Sequence, residues 1–175
     1  MATGEGRTEI GSMDDLFEYE LESVYYVENR LVGALDEMAA GAANDRIARA
    51  FADHRDETRT HVDRLETVFE KLDREPAERE VLAIDGMIED RRRFEESVRD
   101  DDLRDVFYLG AGAKAERFEI TSYRTMLEHA DKLDLGNEVL KPLEDNLDEE
   151  EAALDDLHGM TRGTGIRGLI RRLTG

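Results

Sequence analysis

Four stretches of this chain carry the spacing of a buried helical face, and each is interrupted by glutamate or histidine. The first reads Phe17, Leu21, Val24, Glu28, Leu31, Leu35, Met38, stepping alternately by four and three residues. That is the period at which one side of an α-helix faces a core. The second reads Ile47, Phe51, His54, Glu57 with Thr58, His61, Leu65, Val68, Leu72. The third reads Val106, Leu109, Gly112, Glu116, Glu119, Tyr123, Met126, Leu127, and the fourth Leu140, Leu143, Leu147, Glu150, Leu154, Leu157. Carboxylates are almost never fully buried without a partner. A single glutamate on such a stripe can be a rim residue, and a lone histidine is commonly a hydrogen-bonded core residue. Their coincidence on four helices argues for a shared partner, which a pair of metal ions supplies most simply.

The stripes predict helices over 13–40, 45–73, 102–132 and 137–158. Ser12, followed by Asp14 and Asp15, signals the first N-terminus, and Gly41 the first stop. Asn44 or Asp45 caps the second helix, and Glu75-Pro76 breaks the pattern after it. Residues 74–101 make a long connection containing a short, highly charged helix over about 81–98. Pro142 falls in the first turns of the last long helix, where a proline costs least. Two antiparallel hairpins joined by one long crossover give an all-α, ferritin-like four-helix bundle. The expected domains are a flexible arm over 1–12, the bundle over 13–158 and a basic tail over 159–175.

The chain has 175 residues, and its 44 acids against 24 bases leave a formal net charge of −20. Such a surface repels nucleic-acid phosphates, so the main body is not expected to bind them. Only four of the 24 bases are lysine, and this acidic, arginine-rich balance is that of a salt-adapted, halophilic cytoplasmic protein. There is no cysteine, which excludes disulfides, thiolate metal sites and cysteine nucleophiles. No run of about 18 apolar residues is present to span a membrane, and the N-terminus lacks a signal-type apolar core.

Residues three and four apart share a helical face, so His54, Glu57 and His61 form one ridge and Glu116 and Glu119 another. Oxygen-rich ligands with one or two imidazoles suit iron or manganese. Five glutamates would bring about −5 of charge against roughly +4 to +6 from two metals. Tyr25 and Tyr123 lie near the same level, placed for packing or for hydrogen bonds to the carboxylates.

Several segments resemble the YciE/YciF family of ferritin-like proteins: Glu20-Leu21 with Tyr25 and Glu28, HRDET at 54–58, RLE at 64–66, KAERFEITSY at 114–123 and LDEEEA at 147–152. The resemblance covers about residues 13–158 in order. It implies a ferritin-like fold, a di-iron-type centre, a role in stress responses and a dimer or higher homo-oligomer. It implies Glu28, His54, Glu57, Glu116, Glu119 and Glu150 as metal ligands, with Glu149 the competing choice on the last helix. Arg117 stands where relatives often have His. His61 stands where they often have Gln, so His61 is either an added ligand or a hydrogen-bond donor behind one. The Glu-x-x-His pair of ferritins and rubrerythrins is reversed as His54-x-x-Glu57, and Ala153 replaces a histidine after Glu150.

The expected activity is oxidation of Fe(II) by O₂ or peroxide at two iron ions per chain, with manganese as the alternative metal. The competing reading is a non-catalytic stress-related structural or interaction protein with a vestigial or stabilising metal site. The tail RGTGIRGLIRRLTG over 162–175 carries four arginines and no acid. It is read as docking on the acidic body or on a protein partner, and it is similar to the tails that load some ferritin-like proteins into encapsulin shells. Contact with a membrane or nucleic acid through its arginines is a weaker alternative.

Overall fold

The computed structural model describes residues 9–163. Five helices follow in order: α1 (Met13–Gly41), α2 (Asp45–Lys71), α3 (Leu82–Ser97), α4 (Asp101–Lys132) and α5 (Asn137–Gly163). No strand occurs among the described residues. The hairpin α1–α2 packs against the hairpin α4–α5, α1 lying on α4 and α2 on α5, while α3 of the crossover lies against α1 and α4. This is an all-α ferritin-like bundle. The greater part of the tail, 164–175, and the first part of the arm, 1–8, lie outside the described residues. Among those described, no helix is long and apolar enough to cross a membrane.

Local chemistry sets the helix ends. The Ser12 hydroxyl accepts from the Asp15 amide, Asn44 from those of Arg46 and Ile47, and Asp100 from that of Leu103. Buried Asp105 on α4 accepts from the backbone amides of Ala43 and Asn44 at 2.9 and 2.8 Å, pinning the α1–α2 loop to the second hairpin. Helix α5 runs past His158, the end that the sequence predicts, to Gly163. Met160 packs on the core there and Thr161 donates to the Leu157 carbonyl, so apolar burial carries the helix through Gly159.

The core is in two parts. One holds Leu31, Leu35, Met38, Phe51, Tyr108, Leu109 and Leu157. The other holds Phe17, Leu21, Leu65, Val68, Phe69, Met126 and Leu143. On all four long helices the residues between these clusters are polar and buried: Glu28, then His54, Thr58 and His61, then Glu116 and Glu119, then Asn146 and Glu150. A polar layer divides the apolar interior.

Candidate metal centre

Two groups of side chains converge in that layer. Glu28, His61 and Glu150 bring one ligand atom each to within 4.8 Å of one another, and so do His54, Glu116 and Glu150. Glu150 belongs to both and stands between them. His61 Nδ1 lies 2.9 Å from Glu150 Oε1 and 3.5 Å from Glu28 Oε2. His54 Nε2 lies 3.1 Å from Glu116 Oε1 and 3.6 Å from Glu150 Oε2. Glu119, also buried, feels the charges of Glu150, Glu28 and Glu116.

The packing of like charges shows in their proton affinities. Burial, reinforced by neighbouring carboxylates, pushes Glu119 well above the usual range and raises Glu28. Burial and Glu116 push Glu150 up to about 7. Burial opposes charge on the imidazoles, but the surrounding carboxylates outweigh it. His54 is raised well above its ordinary value, and His61 to about 10.

Protein groups alone do not satisfy the layer. Six carboxylate oxygens are buried without a hydrogen-bond partner: Glu28 Oε2, Glu116 Oε2, both of Glu119 and both of Glu150. Orphaned buried acceptors are costly and rare in native proteins. Four buried carboxylates carry a charge that two divalent cations would neutralise with both imidazoles neutral. The donor set, oxygen-rich with two nitrogens, fits a hard or borderline metal. The buried cluster could therefore hold metal ions.

The remaining candidates take other positions. Glu57 stands at the surface with its side chain 55% exposed, Oε2 lying 3.5 Å from His54 Nδ1. Glu149 is 36% exposed and touches His61 from outside the layer at 2.9 Å. The Tyr123 hydroxyl is buried and donates to Glu28, whereas that of Tyr25 donates to Glu66 at 2.8 Å, away from the cluster. Two further residues complete the surroundings. Asn146 donates to the Tyr123 hydroxyl at 2.9 Å, and Arg64 donates to the Asn146 carbonyl oxygen at 2.9 Å and to Glu149. Their signal was positional: Asn146 lies one turn before Glu150, and Arg64 three residues after His61.

One face of the layer is reachable. A cleft of about 590 Å³ between α2 and α5 is lined by Phe51, His54, Glu57, Ala153 and Leu157, with Arg46, Arg49, Asp53 and Asp156 also on its walls.

Fold and site together define a ferritin-like four-helix bundle with a carboxylate–imidazole layer at its centre. The chain belongs to the YciE/YciF family: residues 12–167 match the family described as Domain of unknown function (DUF892). It is 30% identical to Protein YciF of Escherichia coli (strain K12) over 142 residues, 81% of this chain and 85% of that protein. Among solved structures it resembles YcfI from Rhodopseudomonas palustris, with a TM-score of 0.83 and 30% identity over 86% of this chain and 95% of that one. It also resembles the E. coli stress protein YciF, with a TM-score of 0.82 and 28% identity over 87% and 96%.

Proposed function

We propose that this protein binds two iron ions per chain, with manganese as the alternative, and oxidises Fe(II) with O₂ or peroxide in a stress-protective role. The observation behind the reading is the set of six buried carboxylate oxygens without partners, flanked by two imidazoles. Glu28, His61 and Glu150 form one ligand group, His54, Glu116 and Glu150 the other, and Glu119 faces both. Glu57 stands at the mouth, able to take an incoming cation and pass it inward beside His54. Iron held by these residues would supply one electron per ion to O₂ or peroxide. The chain contributes the rest. Glu150 would serve both ligand groups, the apolar clusters above and below exclude water, and the α2–α5 cleft would admit ferrous ion and oxidant. The description of the E. coli relative as a stress protein supports the stress-protective part.

Aerobic addition of Fe(II), followed by ultraviolet absorbance, tests the activity. Oxidation faster than in buffer, lost in Glu150→Ala, is the expected result. Binding of iron with no excess oxidation removes the enzymatic reading and leaves a metal-stabilised protein.

One observation favours that second reading: the R. palustris relative is described as a candidate structural protein. On it the metals stabilise the bundle, and the surface does the work. We further propose a cytoplasmic homodimer or larger homo-oligomer in which the basic tail serves a protein partner.

A further inference from the structure

The two imidazoles of the layer present opposite ring nitrogens to it. His54 turns Nε2 inward, towards Glu116 and Glu150, and leaves Nδ1 towards Glu57 at the cleft. His61 turns Nδ1 inward, 2.9 Å from Glu150 Oε1, and Nε2 outward, 2.9 Å from Glu149 Oε2. The two contacts of His61 differ in kind. The outward one is a hydrogen bond, whereas Nδ1 has no hydrogen-bond partner despite its proximity to Glu150. An N–H at Nδ1 is out of line with the carboxylate it would serve.

Glu149 is itself held. Arg64 grips it through both guanidinium nitrogens, at 2.7 and 2.9 Å, and the same guanidinium reaches Asn146. A carboxylate clamped by a bidentate arginine is an acceptor fixed in place. A carboxylate accepting from one ring nitrogen of a histidine leaves the lone pair on the other, and so sets the tautomer in which imidazole binds a metal.

We propose that His61 is a metal ligand through Nδ1, and that Glu149, gripped by Arg64, is the positioning residue that fixes its tautomer. This rests on the metal-centre reading above. Each of the two ligand groups then holds one nitrogen, and the groups are unequal. The outer nitrogen of His54 is buried near Glu57 without a hydrogen-bond partner, while that of His61, on a wholly buried ring, is hydrogen-bonded to Glu149.

Cobalt(II) alone, bound to the intact protein, tests this by proton magnetic resonance, in which the N–H of a ligated imidazole is strongly shifted and exchanges with solvent. Two such signals are expected, that of His61 exchanging more slowly. His61→Gln removes the slow one. Glu149→Gln keeps both, speeds the exchange of the slow one and weakens one of the two cobalt sites about 10–100-fold. Two bound cobalt ions with a single shifted N–H overturn the assignment of His61 while leaving the metal centre intact. Glu149→Gln with unchanged exchange and affinity overturns the role of Glu149. A protein that takes up no cobalt overturns this proposal together with the metal-centre reading.

Discussion

His61 of α2 and Glu150 of α5 meet in the middle of the bundle, Nδ1 of one 2.9 Å from Oε1 of the other, and neither side chain reaches solvent. Around that contact, Glu28, Glu116 and Glu119 add three more buried carboxylates. Carboxylates crowded at this density, between two apolar clusters, must keep protons or lean on the two imidazoles in the metal-free fold. The stability of the bundle should therefore report on the occupancy of its centre.

Proton linkage gives the first consequence. Glu150 holds its proton up to about pH 7 when folded, against an ordinary value of 4.5, so between those limits the unfolded chain binds fewer protons. His61 behaves alike between its ordinary 6.5 and about 10. Stability of the metal-free protein therefore falls as pH rises through both windows. Metal needs deprotonated ligands and should oppose the trend. Thermal melts of metal-free protein at about pH 5 and about pH 8 should give the lower Tm at the higher pH, with the gap narrowed or reversed by added Mn(II). Equal melting points without metal would count against it.

Replacing one of the crowded carboxylates separates stability from binding. Both oxygens of Glu119 are buried without partners, so Glu119→Leu should stabilise the metal-free protein by about 1–4 kcal/mol while lowering its metal content. Denaturant melts and elemental analysis of the same preparation check both halves. A less stable metal-free variant contradicts the claim that cations answer these charges.

Asp105 provides a contrast, because its carboxylate is fully employed. It accepts from the amides of Ala43 and Asn44, so Asp105→Ala leaves two loop amides without their acceptor. The expected cost is roughly 2–3 kcal/mol with metal content unchanged. A change below about 0.5 kcal/mol would show that water replaces the carboxylate freely.

Two glycines on helices should respond in opposite directions to alanine. A Cβ at Gly33 meets nothing within 4 Å, so Gly33→Ala should gain about 0.5–1 kcal/mol from backbone entropy alone. A Cβ at Gly112 comes within 3.1 Å of Leu157 and 3.2 Å of the Phe51 ring, which packs edge-on against Tyr108. There, overpacking of about 1–3 kcal/mol should outweigh the same gain. Chemical denaturation of the two variants decides it, and a shared sign contradicts the packing described.

Much of this was legible in the sequence because helical periodicity is a strong signal. The stripe through Glu28 marks α1 to within a residue at its C-terminal end, and the stripe positions of Glu116, Glu119 and Glu150 are all buried. The phase of α2 was harder to read, since His54, Glu57 and His61 fit a helical ridge as well as His54, Thr58 and His61 do. At about 100° per residue, position 58 returns almost to the azimuth of Phe51 after seven steps, while 57 falls well aside. Hence Thr58 is buried and Glu57 stands in the cleft wall. Asn146 and Arg64 escaped because neither has a metal-ligating side chain, and their value lies in contacts between helices far apart in sequence. Tyr25 packs edge-on against Phe69 beside the second apolar cluster, and its hydroxyl goes to Glu66.

Crystals of the protein soaked with Mn(II) or grown with iron, and measured at the absorption edge of that metal, show whether cations occupy the buried layer. Two anomalous peaks per chain are expected inside the bundle, one among Glu28, His61 and Glu150 and one among His54, Glu116 and Glu150. An interior without peaks, with metal found only on the acidic surface, would contradict the metal-centre reading.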